Sequence, residues 1–234
     1  MNKMTISTLL TIVFLFLGAS CHSEVKSKLV SNLDTGKKQT VVAYGTSLTA
    51  FNGWVKQLQT ILNNRYPGQA KVINSAMGGM WSKWGVANLD WLVIDKKPNT
   101  VFIEFAINDS YTLYRTSVNE ARTNLENMID RILNSNPNCE IILMVMNPPV
   151  GAHLMLRPKI KDYYQMYRDV ARERNLQLID HYPNWEKILN ESPEQFNKYV
   201  PDGIHPTVQG SKIVTTPEIV RAIGIKNKHK NTSK

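Results

Sequence analysis

Short apolar runs alternate with stretches of helical periodicity through most of this 234-residue chain. The runs at 41–44, 71–74, 100–105, 140–146 and 176–180 have the length of buried strands. Helical patterns lie between them. Trp54, Leu58, Ile61 and Leu62 fall at i, i+4, i+7 and i+8, one face of a helix. Val118, Ala121, Leu125, Met128, Ile129 and Ile132 share a face of another, which opens on Ser117-x-x-Glu120, the form of a capping box. A third runs from 158 to about 174 and buries Ile160, Tyr164, Tyr167 and Ala171. Strands joined by helical crossovers make a parallel sheet covered on both faces, so the pattern predicts an α/β fold, a three-layer α/β/α sandwich.

The flanks read differently. Residues 1–20 have a short positive start at Lys3, an apolar run from Leu9 to Gly18 and small residues at 18–20, the form of a signal peptide. The run is too short to span a membrane, which takes ~20 residues. Leu17-Gly18-Ala19-Ser20-Cys21 resembles a bacterial lipobox, with Gly18 where Leu or Val is usual; Cys21 is then the lipidation site, and without lipid the chain is simply secreted. Residues 21–39 are polar and read as a tether, 40–224 as one domain, and 225–234 as a disordered basic tail. The formal net charge is +9; Lys3, the leader and the tail account for +1, +2 and +4 of it, leaving about +2 on 40–224. That is too little for a nucleic-acid footprint, and the basic ends fit an anionic membrane surface. Two cysteines allow at most one disulfide, and Cys139 reads as a core residue. No ligand cluster calls for a metal, and no cofactor is expected.

Five strands fit the flavodoxin-like order 2-1-3-4-5. That order crowds the loops leaving strands two, one and three at the carboxyl edge, where ligands of open α/β sheets bind. Those loops are Asn74-Ser75-Ala76-Met77-Gly78-Gly79, Gly45-Thr46-Ser47, and Ala106-Ile107-Asn108-Asp109. Ester hydrolysis needs a nucleophile, a base, an orienter for the base and donors for the developing oxyanion. Ser47 offers the hydroxyl, Gly79 a closely approaching backbone N–H, and Asn108 an amide that cannot ionise. Each also has a structural reading: Ser47 or Thr46 as a helix cap, Gly78-Gly79 as a tight turn, Asn108-Asp109 as a turn or cap. Of five histidines, His22 and His229 lie in the flanks, and His153 has no acid nearby in sequence. His181 follows Asp180 directly, and the two side chains point to opposite faces of an extended strand. His205 follows Asp202 by three residues, with Gly203 to permit a turn that lets the carboxylate hold the ring.

Taken together these four stretches resemble the SGNH, or GDSL-like, hydrolase family over about 40–224. The family's marks, a Ser after the first strand, a Gly after the second, an Asn after the third and Asp-x-x-His near the C-terminus, fall on Ser47, Gly79, Asn108, Asp202 and His205. The resemblance implies a serine esterase with a Ser47-His205-Asp202 triad and an oxyanion hole from Ser47, Gly79 and Asn108. Thr46 stands where the family name pattern has Asp, and Ala76 and Ala106 replace frequent glycines, which is expected to narrow the site slightly. Trp81, Trp84 and Tyr111 are candidates for a substrate rim, with packing under the loop as the rival reading for the tryptophans. Family and leader together imply an exported envelope lipoprotein removing acyl groups, often acetyl, from glycans. Two alternatives stay open: a lipid-directed esterase or thioesterase with the same site, and a binding module in which Thr46, Ser47 and Thr49 form a flavodoxin-like phosphate loop.

Overall fold

The computed structural model describes residues 26–225; the signal peptide, Cys21 and most of the basic tail lie outside the described residues. Strands β1 (Gln39–Gly45), β2 (Ala70–Asn74), β3 (Thr100–Glu104), β4 (Glu140–Val145) and β5 (Gln177–Asp180) form one parallel sheet in the order β2-β1-β3-β4-β5. The order and class are those read from the pattern. Central β3 is buried at every position, whereas edge strand β2 is buried only at its first residue, as expected where one side lacks a neighbour.

The helices are α1 (Lys28–Asp34), α2 (Ser47–Ala50), α3 (Trp54–Arg65), α4 (Ser82–Leu92), α5 (Ala106–Asp109), α6 (Val118–Ser135), α7 (Ala152–Met155), α8 (Ile160–Glu173), α9 (Tyr182–Glu191), α10 (Pro193–Tyr199), α11 (Val208–Gly210) and α12 (Thr216–Ala222). Helices α3 and α12 pack together on one side of the sheet, and α4, α6 and α8 form a contiguous layer on the other. Helix α6 starts at the capping Ser117, whose hydroxyl accepts the Glu120 N–H, and it buries the predicted face except for half-exposed Val118. Close packing of α4 depends on Gly85: a Cβ there would lie 3.0 Å from Met128 and Phe105. The Gly85 carbonyl in turn accepts the buried Tyr44 hydroxyl at 2.7 Å. A smaller core of Trp185, Phe196, Val200 and Val214 ties α9 and α10 to the C-terminal segment.

The tether expected over 21–39 is corrected by α1. Ser27 caps this helix, which buries Leu29, Val30 and Leu33 in the main core. Its first two amides, of Lys28 and Leu29, donate to the Glu140 carboxylate at 2.7 and 2.9 Å, and Ser27 N–H donates to the Ile223 carbonyl. The polar composition hid a short helix whose apolar positions are spaced i, i+1, i+4. The helix sits at the amino edge of the sheet, beside the first residues of β1 and β4. Ile225, the first residue of the expected tail, packs against the core, and residues 226–234 lie outside the described residues. Leu29→Ala should destabilise the domain by roughly 2–5 kcal/mol in a urea titration, as core truncations do; a change within ~0.5 kcal/mol would mean that the segment is a tether after all.

Candidate active site

The carboxyl end of β1 runs through Gly45 into the single turn of α2. Thr46, not Ser47, is the cap: its hydroxyl accepts the Leu48 N–H at 3.2 Å. Ser47 is the first helical residue, so its N–H has no partner within the helix and its side chain is free for other work. After Gly53, at φ +83, the chain turns into α3, so the predicted strand-to-helix hand-over passes through two helices. Under the turn lies Glu104, the last residue of β3 and fully buried. It accepts from Thr46 N–H at 2.7 Å, Thr46 Oγ1 at 3.0 Å and Thr49 Oγ1 at 2.8 Å. Burial pushes its carboxyl up to about 7 against those hydrogen bonds. These contacts remove the phosphate-loop alternative: two of its three hydroxyls face inward onto an acid, which repels a phosphate.

Ser47 Oγ lies 2.8 Å from His205 Nε2, and His205 Nδ1 lies 2.6 Å from Asp202 Oδ2. The loop that presents the pair is built by the aspartate itself, since its other oxygen accepts the Ile204 and His205 amides at 3.0 and 2.8 Å. Gly203, at φ +85, adopts the left-handed backbone this turn needs, and a Cβ there would lie 3.0 Å from the Val150 carbonyl. Two bonds pin the loop to the segment after β4, from Val150 N–H to the Gly203 carbonyl and from Asn147 Nδ2 to the Ile204 carbonyl. Partial burial opposes ionisation of Asp202, but the bonds from His205 and Ile204 outweigh it and hold the carboxyl down at about 2. His181, the rival base, is fully buried at the start of α9, far down at about 4 because burial disfavours its charged form. Neither of its ring nitrogens has a hydrogen-bond partner, and Asp180 is engaged by Arg168 instead.

Gly79 and Asn108 reach the same place from the ends of β2 and β3. Gly79, at φ +77, lines the cleft, and its carbonyl accepts the Tyr114 hydroxyl. Asn108 is buried in α5. Its Nδ2 donates to the Met80 carbonyl at 2.9 Å, while Arg157 Nη2 approaches Oδ1 at 3.4 Å. A donor on one side and an acceptor on the other leave only one amide orientation, and Asn108 lines the cleft. Asp109, next in sequence, is a helix anchor: it accepts the Ser82 N–H at 2.8 Å, and burial drives its carboxyl up to about 7.

Ser47, Gly79, Asn108 and His205 line one cleft of about 640 Å³, within the usual range for ligand sites. Walls of the cleft that the sequence did not point to include Phe51, Asn52, His153 and Arg157. Arg157 is buried, donates from Nε to the Ile107 carbonyl and lies 4.7 Å over the Tyr111 ring. Proximity in sequence to an acid was the wrong filter for His153, which comes from α7 to within 6.5 Å of the His205 ring. Of the three expected rim residues, Tyr111 lines the cleft. Trp81 stacks behind Tyr114 at 4.5 Å without lining the cleft, and Trp84 packs inward against Tyr44 at 5.9 Å. Ala76 and Ala106 do not line the cleft either, so they do not narrow it. Around the mouth stand apolar side chains, Phe51, Met77 and Leu156 in the wall, with exposed Leu113 and Met155 beside it. Among the described residues no cluster of three or more His, Cys, Asp or Glu could hold a metal ion, and Cys139 is a buried thiol pushed up to about 12 by burial.

A fold with five parallel strands and this edge of Ser, Gly, Asn and His defines a hydrolase of the SGNH class, and the comparisons agree. Residues 41–213 match the family model of the GDSL-like lipase/acylhydrolases, and the chain belongs to that family. It is 26% identical over 214 residues to an uncharacterized lipoprotein, YqeF of Bacillus subtilis, covering 75% of this chain and 86% of the relative. A lipase/acylhydrolase from Enterococcus faecalis superposes with a TM-score of 0.69 at 25% identity, over 79% of this chain and 95% of its own. Axe2, an acetylxylan esterase from Geobacillus stearothermophilus, shares the fold with a TM-score of 0.70 at 21% identity, over 81% and 96%.

Two outcomes follow from this geometry. Asn108→Ala should lower kcat by ~10²–10³ with little change in KM, as loss of one oxyanion donor does; a variant that is less stable yet fully active when folded would make Asn108 a turn residue only. Asp202 ionises at about 2 in the folded chain against 3.8 ordinarily, so its charge stabilises the fold at every pH above ~4, and that contribution fades as pH falls toward 2. The stability gap between wild type and Asp202→Asn should therefore be constant from neutral pH down to ~5 and shrink between ~4 and ~2. A gap independent of pH in urea titrations would remove the Asp202 hydrogen bonds from the account.

Proposed function

We propose that this chain is a serine esterase that hydrolyses acyl esters, acetyl foremost, carried on a carbohydrate. Its triad is Ser47, His205 and Asp202, and its oxyanion donors are the Ser47 and Gly79 N–H groups and the Asn108 amide. The observation that carries the reading is the continuous chain Ser47 Oγ–His205 Nε2 at 2.8 Å and Nδ1–Asp202 at 2.6 Å, opening on the cleft. Asp202 holds the tautomer with the proton on Nδ1, which leaves Nε2 to take the Ser47 proton as Oγ attacks the ester carbonyl. The developing oxyanion is met by donors already in place. His205 then returns its proton to the leaving alcohol, and water repeats the sequence on the acyl-enzyme. In the structurally similar acetylxylan esterase, catalytic mutants replace a serine, an aspartate and a histidine, the last two three positions apart as Asp202 and His205 are.

Two features bear on substrate. Tyr111 and Tyr114 line the cleft with their rings edge to face, Trp81 backing the second, and aromatic side chains there suit the apolar face of a sugar ring. The position of α1 bears on location. If Cys21 carries the lipid, as the name of the Bacillus relative favours, the five-residue step to Lys26 reaches at most ~18 Å. It joins the domain at the amino edge of the sheet, whereas the cleft opens at the carboxyl edge, ~20 Å away along β1. The site then faces away from the anchoring bilayer, toward material beyond it. The apolar mouth formed by Phe51, Met77 and Leu156 favours a second reading, a lipid-directed esterase. A series of p-nitrophenyl esters from acetyl to palmitoyl, alongside acetylated xylooligosaccharides, separates the two. The carbohydrate reading expects kcat/KM to fall steadily beyond short chains, deacetylation of the oligosaccharide, and loss of at least ~10³-fold in Ser47→Ala. A preference for long acyl chains with no glycan deacetylation would establish the second reading.

A further inference from the structure

Position 46 is where the family pattern carries an acid, and this chain has Thr46 there. A carboxylate nevertheless reaches the turn, from the neighbouring strand. We propose that Glu104 is a positioning residue for Ser47, supplying from β3 the carboxylate that the Gly45-Thr46-Ser47 turn lacks. The inference rests on the reading of Ser47 as nucleophile.

The geometry is specific to this task. Three donors of the nucleophile turn converge on Glu104 Oε1: Thr46 N–H, Thr46 Oγ1 and Thr49 Oγ1, at 2.7, 3.0 and 2.8 Å. The Thr46 hydroxyl also lies 3.1 Å from Oε2. All three donate to one oxygen, and the Thr46 hydroxyl is shared with the other, an arrangement that suits a group able to accept at both oxygens, as a carboxylate is. Among the described residues no Lys or Arg forms an ion pair with it, so the turn itself is its counterpart. Gly45 stands directly opposite Glu104 across β1 and β3, and a Cβ at Gly45 would lie 2.4 Å from Oε1. The glycine therefore serves the carboxylate's seat, and its backbone needs no left-handed conformation. Thr46 aims its side chain at this seat while the adjacent Ser47 aims at His205, so the grip on residues 46 and 49 sets the rotation of the turn that points Oγ at Nε2. Glu104 does not line the cleft and cannot touch substrate. The Thr46 hydroxyl lies within hydrogen-bond distance of both Glu104 oxygens, so an acid at position 46 would set a second carboxylate against Glu104, and the two would repel. Burial with no cation, beside Asp109 of α5, is an unfavourable setting for a carboxylate, and the hydrogen bonds from the turn offset it.

The test is a swap, read in two independent ways on the purified folded chain. Glu104→Gln keeps the shape and removes the charge; it should lower kcat about 10- to 100-fold with KM within about twofold, because the nucleophile is misaimed and the cleft is intact. Thr46→Asp alone should also lose activity. Thr46→Asp combined with Glu104→Ala should be more active than either Thr46→Asp or Glu104→Ala alone, a rescue that a purely structural role would not give. Hydrogen exchange over residues 44–50 supplies the second reading: protection should fall at this turn in Glu104→Gln and return in the swap. Wild-type kcat in Glu104→Gln with unchanged exchange, or a swap no better than its two component variants, overturns the proposal. Exchange that follows the expected pattern in a chain where Ser47→Ala retains full turnover would instead keep Glu104 as the holder of the turn and sink the assignment of Ser47.

Discussion

A hydrogen bond 2.8 Å long joins Ser47 to His205 across 158 positions of sequence, and most of the architecture bears on it. One end is fixed by strand order. Placing β1 between β2 and β3 brings the ends of three strands together, so that Ser47, Gly79 and Asn108 share an edge without any long loop. The other end is fixed by a loop that arrives last and belongs to no strand. Asp202 folds that loop around its own carboxylate, and Val150 and Asn147 attach it to the end of β4. A parallel sheet thus provides a rigid bench for the nucleophile and the donor groups, and a pinned turn brings the base to it.

Beneath this edge lies a layer of buried ionisable side chains. Glu104, Asp109 and Arg157 are each almost wholly inaccessible, and their partners are backbone amides, hydroxyls and carbonyls in place of opposite charges. Burying such groups costs free energy unless the hydrogen bonds are well made. Each of the three holds a short helical turn that carries a site residue or its neighbour: Glu104 holds α2, Arg157 bonds to α5, and Asp109 joins α5 to the start of α4. Short helices of one turn are weak by themselves, and this polar layer is what fixes them in place.

Periodicity carried the fold, because parallel strands buried on both faces and amphipathic crossovers leave a pattern that local composition rarely disturbs. Strand ends moved by one or two residues and the order 2-1-3-4-5 stood. The helix at Lys28–Asp34 was missed since three apolar residues in a polar segment give too little periodicity to read. Within the site, residues carried by short motifs were legible: Gly45-Thr46-Ser47, Gly78-Gly79, Asn108 and Asp202-x-x-His205 all reach the cleft or support it. Residues that act through tertiary contact were not. Nothing local to Glu104 or Arg157 announces that one will hold the Ser47 turn and the other will stand behind Asn108. Tryptophans near a glycine looked like a rim, but Trp84 turned into the core, where its area is better buried.

The central claim is that Ser47 Oγ is made nucleophilic by His205. Reaction with a serine-directed alkyl fluorophosphonate, mapped by peptide mass spectrometry, addresses it most directly. A single adduct is expected, on the peptide containing Ser47, formed rapidly by wild type and slowed by orders of magnitude in His205→Ala while His181→Ala labels like wild type. Labelling at another serine, or labelling that depends on His181 and not on His205, would contradict it.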